Sequence, residues 1–184
     1  MPRNDPVRHM GDFWVFGYGS LMWRPGFAHV ETRRARLNGY RRALCVTSFV
    51  HRGTRERPGL VLGLDRGGSC LGLAFRVPAG LRDEVTAYLR ERELVTLVYR
   101  ERILPVRLDD GEVVPAMTYV VDRSHAQYAG AMDQEAAALR VAGSVGVSGP
   151  NEEYVLNTVD HLRALGIRDH WLDGVAARLA RHQG

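Results

Sequence analysis

The chain has 184 residues, 45% hydrophobic and 25% charged, enough for one compact core and too few for two comfortable domains. Its 25 basic residues are all arginine, so chemistry that needs a lysine is excluded: a Schiff base, a pyridoxal phosphate anchor, a Walker A phosphate loop. The formal charge of +4 comes without an aromatic RNA motif or a Cys/His finger, and no nucleic-acid partner is expected.

Residues 1–12 are polar and contain proline, which predicts a flexible N-terminal tail ahead of a single domain over 13–184. They form neither a signal peptide nor an anchor. No run approaches the roughly 20 apolar residues that cross a bilayer, so a soluble, cytoplasmic chain without a membrane partner is expected. Residues 13–16 are aromatic or β-branched and read as a buried strand, which delivers a turn at Gly17-Tyr18-Gly19. Two glycines one residue apart let successive N–H groups face one concavity that suits a carboxylate or phosphate. A dinucleotide fingerprint would need a third glycine where the chain has Met22.

Asn38-Gly39 predicts a hairpin turn leading into a strand over 43–50, with Arg33, Arg34, Arg36, Arg41 and Arg42 on the solvated face of two short strands. A second hairpin is predicted where Arg66-Gly67-Gly68-Ser69 separates 60–64 from 71–77. A helix over 81–91 follows, with Leu81, Val85, Tyr88 and Leu89 on one stripe. Asp109-Asp110-Gly111-Glu112 joins strands over 103–108 and 113–121. Beyond them come a short helix at 136–141, a loop at 143–149, and two helices for which Asn151 and Asp169 are the expected caps and Gly166 the intervening stop. The pattern is α+β with antiparallel hairpins. Cys45 and Cys70 lack metal or redox spacing and fit a reducing compartment better than a disulfide framework, although one bridge stays open. The seven histidines show no ligand spacing, so neither metal nor cofactor is implied. Oligomeric state is not specified by these residues.

Five blocks carry a resemblance. They are Phe16-Gly17-Tyr18-Gly19-Ser20-Leu21-Met22-Trp23, His51-Arg52-Gly53 with Pro58-Gly59-Leu60-Val61, Gly72-Leu73-Ala74-Phe75-Arg76-Val77-Pro78, Tyr88-Leu89-Arg90-Glu91-Arg92-Glu93, and Gly149-Pro150-Asn151-Glu152-Glu153-Tyr154. In that order they resemble the ChaC-like γ-glutamylcyclotransferases, enzymes that cleave glutathione into 5-oxoproline and cysteinylglycine. The similarity runs from about Phe13 to the last helix and implies the γ-glutamylcyclotransferase-like fold, a small, mostly antiparallel β-barrel with helices packed outside.

The chemistry implied needs little equipment, because nucleophile and electrophile both belong to the small-molecule substrate. The α-amine attacks its own γ-carbonyl, and intramolecular attack of this kind reaches effective molarities of about 10⁵ to 10⁸ M. One carboxylate suffices to take the amine proton and return it to the leaving nitrogen. Charge pattern alone does not choose between Glu91 and Glu93; the resemblance selects Glu93, which ends the Tyr-Leu-x-x-Arg-Glu signature. It also implies that Val15, Phe16, Gly17, Tyr18, Gly19 and Ser20 form the γ-glutamyl loop, with Leu21 completing the turn, and that Tyr119 and Tyr154 line the pocket. Arg52 is the candidate for the glycine carboxylate, which a guanidinium meets with two hydrogen bonds. Animal members resembling this chain follow the glutamate with Gly-Gly-Tyr; here Leu94-Val95-Thr96-Leu97 follows, as in a bacterial branch. Two alternatives stand beside this reading: cyclisation of other γ-glutamyl amino acids or amines, and a non-catalytic module that binds such a ligand to regulate a transport system.

Overall fold

The computed structural model describes residues 11–182. Its main strands are β1 (Phe13–Gly17), β2 (Glu31–Ser48), β3 (Gly59–Val77), β4 (Tyr99–Leu108) and β5 (Val113–Val121), which close into a barrel in the order β1-β3-β2-β4-β5. Every pairing is antiparallel except the closing one, where β1 runs parallel to β5 through Trp14↔Ala116 and Val15↔Met117. The helices are α1 (Arg82–Glu93), α2 (Gln134–Val141), α3 (Asn151–Ala164) and α4 (His170–His182), and a two-stranded ribbon of Val145–Gly146 and Gly149–Pro150 lies in the loop before α3. No helix among the described residues is long and apolar enough to cross a membrane.

Alternation along β1 sorts its side chains onto two faces. Phe13 and Val15 pack with Val85 and Leu89 of α1, the predicted stripe, while Trp14 and Phe16 join the larger core that α2, α3 and α4 cover. The expected strand, helix and Asp-Asp-Gly turn are all present, with β4 starting at Tyr99, earlier than the pattern indicated. Asp169 caps α4, accepting from Leu172 N at 3.0 Å, and Gly166 ends the preceding turn at φ +69. Both cysteines are buried and free. Most of the predicted tail lies outside the described residues; Asp12, at its end, is bound to Arg76 at 2.7 Å.

Two predicted hairpins are not there. Residues 31–48 and 59–77 are continuous strands that pair along their whole length. The reason is mutual: Asn38-Gly39 lies across the ladder from Arg66-Gly67-Gly68-Ser69, and the register shifts between Asn38 and Tyr40. Gly39, Gly67 and Gly68 all have positive φ, so each turn-forming sequence accommodates the other as a bulge. The ribbon bends, and the chain reverses instead through residues 49–58. The arginines called solvated are accordingly spread over several environments. Arg33 pairs with Glu31, Asp109 and Asp110, Arg34 reaches Leu165 O, and the side chain of Arg42 is only 3% exposed.

Asn151 does not cap α3 with its side chain. It is the first residue of the helix, and its amide instead spans the backbone of Leu60, accepting from Leu60 N at 2.8 Å and donating to Leu60 O at 2.8 Å. Tyr154, one turn later, accepts from Leu62 N at 3.0 Å. Replacing the amide strands two buried backbone groups, so Asn151→Ala is expected to lower stability by about 2 to 4 kcal/mol. Urea denaturation checks this; an unchanged midpoint would refute the role given to the amide.

Candidate active site

The turn after β1 is built by crowding. Gly17 and Gly19 both have negative φ, but a Cβ on Gly17 would lie 3.1 Å from Leu21 Cβ, and one on Gly72 would come within 2.3 Å of Gly17 O. Residues Ser20–Met22 form a single 3-10 turn closed by Met22 N donating to Gly19 O at 2.9 Å. The N–H groups of Gly19, Ser20 and Leu21 precede that bond and have no acceptor within the turn. From behind, buried Arg42 donates through Nε to Tyr18 O at 2.6 Å and through Nη2 to Leu71 O at 2.6 Å, while Nη1 meets Asp169 at 3.1 Å.

Tyr18, Gly19, Ser20 and Leu21 line a pocket of about 100 Å³ whose other walls are Leu62, Glu93, Tyr99 and Tyr154. Glu93 and Tyr99 also line a neighbouring cleft of about 760 Å³ between residues 46–51 and the loop after α1. Glu93 thus stands at the junction of a small polar pocket and a larger cleft. As the last residue of α1 it is held inward, with its side chain 18% exposed, whereas Glu91 is exposed.

The electrostatics of Glu93 are set by burial. Loss of water raises its pKa, and the Arg92 guanidinium, 3.6 Å away, offsets this in part. Among the described residues no hydrogen bond reaches the carboxylate. Arg92 itself is occupied with the opposite wall, donating to Ser20 Oγ at 3.0 Å and Arg24 O at 2.6 Å, so it ties the helix end to the glycine turn. Burial also raises the pKa of Tyr18, Tyr99 and Tyr154, Tyr154 to about 12, so all three hydroxyls stay protonated near neutral pH.

Of the residues singled out from sequence, Tyr18, Gly19, Ser20, Leu21, Glu93 and Tyr154 come together around this pocket. Val15 and Phe16 lie behind it in the core and Gly17 supports the turn. Tyr119 stands apart. It is buried with Val15, Leu89 and Met117, and its hydroxyl donates to Glu101 at 3.0 Å. Arg52 lines neither cavity; its guanidinium lies 5.4 Å over the Tyr154 ring and donates to Pro150 O at 3.2 Å. Arg55 and Arg92 both line the large cleft; Arg92 is held by Ser20 and Arg24, whereas Arg55 is stacked at 5.3 Å on Phe49 and makes no hydrogen bond among the described residues.

Tyr99 was not anticipated. Its hydroxyl donates to Leu62 O at 2.7 Å, and it lines the pocket together with Tyr18. The signal was the apolar pair Val98-Tyr99, hidden by the charged run Arg100-Glu101-Arg102 that follows it.

Comparison with known proteins shows the family and the fold. A family model described as ChaC-like protein matches residues 13–181. The chain belongs to the ChaC-like family. The glutathione-specific gamma-glutamylcyclotransferase of Escherichia coli (strain K12) is 34% identical over 163 residues, covering 89% of this chain and 71% of that protein. Glutathione-specific gamma-glutamylcyclotransferase 1 of Homo sapiens is 34% identical over 172 residues, covering 90% and 75% respectively. The crystal structure of a γ-glutamylcyclotransferase specific to glutathione from yeast shares the fold at a TM-score of 0.82, with 22% identity over 94% of this chain and 97% of that one.

In this ChaC-like chain the buried carboxylate works against the fold. A carboxyl whose folded pKa is raised binds more protons in the native than in the unfolded state, so stability falls as pH rises from the ordinary glutamate range through the folded pKa. Glu93→Gln removes that cost. The variant should melt above the parent at pH 7.5, by about 2 to 4 °C for each kcal/mol recovered, and the gap should close below about pH 4. Calorimetric melting across pH measures it; equal melting at pH 7.5 would refute the assigned burial.

Proposed function

We propose that this chain cleaves glutathione by cyclising its γ-glutamyl group, with Glu93 as the general acid/base. The supporting observation is the position of Glu93 where the small pocket opens into the large cleft. The γ-glutamyl group fits the small pocket, its α-carboxylate or developing oxyanion received by the N–H groups of Gly19, Ser20 and Leu21 and by the Tyr18 hydroxyl. Cysteinylglycine occupies the larger cleft.

Near neutral pH the α-amine is mostly an ammonium, and Glu93 accepts its proton. The freed lone pair forms the new C–N bond at the γ-carbon; Glu93 gives that proton to the cysteine nitrogen as its bond to the γ-carbon breaks, then takes the second proton from the ring nitrogen and passes it to the released amine, which departs as an ammonium. A carboxylate with a raised pKa is the better base for this, since its proton affinity lies closer to that of the groups it serves. Products are 5-oxoproline and cysteinylglycine, with no covalent enzyme intermediate. The relatives named for this reaction in Escherichia coli and Homo sapiens share a third of their aligned residues with the chain, which supports the same substrate.

Mass spectrometry of purified protein with reduced glutathione tests the reading. Parent protein should form both products, and Glu93→Gln should reduce the rate by about 10² to 10⁴ while ligand binding persists. Normal turnover in that variant would sink the assignment, and a parent that binds glutathione without products would leave a binding module.

In this reading Arg55, rather than Arg52, receives the glycine carboxylate, supported by its position in the cleft lining. Arg55→Gln is expected to raise KM for glutathione about tenfold with kcat nearly unchanged, because the contact lies far from the reacting bond. Steady-state kinetics with γ-glutamylcysteine, which lacks the glycine, serves as control: its KM should barely move.

A further inference from the structure

A third cavity, of about 400 Å³, lies between the bend of the β2–β3 ribbon and the start of α4. Nothing in the reaction above uses it. Arg36, Arg41, Arg42 and Arg168 line it against two carboxylates, Asp65 and Asp169. Both carboxylates are already matched: Asp169 lies 3.1 Å from Arg42, and Asp65, 1% exposed, holds Arg41 at 3.3 Å and Arg123 at 2.7 Å. Arg36 reaches only the Ser69 hydroxyl, at 3.0 Å, and Arg168 has no side-chain partner among the described residues. The lining therefore carries two uncompensated guanidinium groups, beside an apolar surface formed by Leu71, Met132 and Trp171.

We propose that this cavity binds a small phosphomonoester, its phosphate taken by Arg36 and Arg168 and its organic body laid over Leu71, Met132 and Trp171. A phosphomonoester carries about −1.5 to −2 charges at neutral pH, which matches the local excess, and guanidinium groups meet its oxygens in paired hydrogen bonds. The volume lies within the roughly 300 to 1,000 Å³ of small-molecule sites. A γ-glutamyl peptide fits poorly, since its ammonium would find both carboxylates already paired. The site is separate from the catalytic pocket but shares Arg42 with it: the guanidinium that forms part of this wall holds Tyr18 O of the glycine turn.

Isothermal titration of the full chain with phenyl phosphate tests the proposal independently of the catalytic reading. Saturable binding with a Kd below about 1 mM is expected, with displacement by inorganic phosphate and much weaker binding of phenol. The double variant Arg36→Gln, Arg168→Gln should weaken binding by about tenfold or more. Both side chains are exposed, so the variant should melt with the parent and keep its glutathione turnover; the single Arg168→Gln variant gives a smaller loss in the same direction. No saturation up to about 10 mM, phenol binding as tightly as phenyl phosphate, or equal affinity in the double variant overturns it.

Discussion

Between Leu60 and Leu62, β3 faces β2 on one side and no strand on the other. Bare backbone groups at such an edge, if buried, cost about 1 to 3 kcal/mol each. Side chains satisfy them here: Asn151 takes both groups of Leu60, Tyr154 the N–H of Leu62, and Tyr99 its carbonyl. The same bonds hold α3 against the barrel and fix two tyrosines beside Glu93. Edge protection and pocket construction are one set of contacts. Among the described residues no buried polar side-chain atom lacks a partner, which is the condition for such a network to rigidify a fold.

Two charges, one buried and one half-buried, are treated in opposite ways. Arg42 is supplied with two carbonyls and a carboxylate, so its charge is a structural tie between the glycine turn, β3 and the cap of α4. Glu93 has only Arg92 at 3.6 Å and is left short of donors. The first arrangement suits a group that must not move or titrate. The second suits a group that must exchange a proton, and it stores its reactivity as a loss of stability.

Local chemistry was legible where one segment decided the outcome. The apolar run of β1, the stripe on α1, the Asp-Asp-Gly reversal and the Asp169 cap depend on neighbours in sequence and were readable there. The hairpins at 38–39 and 66–69 were misread because the two glycine-containing segments lie opposite each other, a relation that exists only once the ribbon has paired. Asn151 has the composition of a cap, yet Leu60 claims its amide. In the site, family blocks identified the glycine turn, Glu93 and Tyr154, and burial separates Glu93 from exposed Glu91. Tyr99, Arg92 and Arg55 escaped notice, since each gains its place from a partner distant in the chain or from a cleft between segments. Tyr119 fell to the other side of the sheet by strand alternation.

The closing pair of the barrel also sets an order of events. β1 leaves the ribosome before the strands it pairs with, residues 73–77 on β3 and 116–117 on β5. Contacts that distant form after local ones, because the intervening chain must first give up its freedom. The long β2–β3 ribbon and the β4–β5 hairpin can therefore be in place while the first strand still waits. The glycine turn that follows β1 acquires its walls only when Glu93, Tyr99 and, last in synthesis, Tyr154 have arrived. A chain that stops short of Tyr154 thus carries the turn without the pocket, and ligand binding reports that α3 has docked.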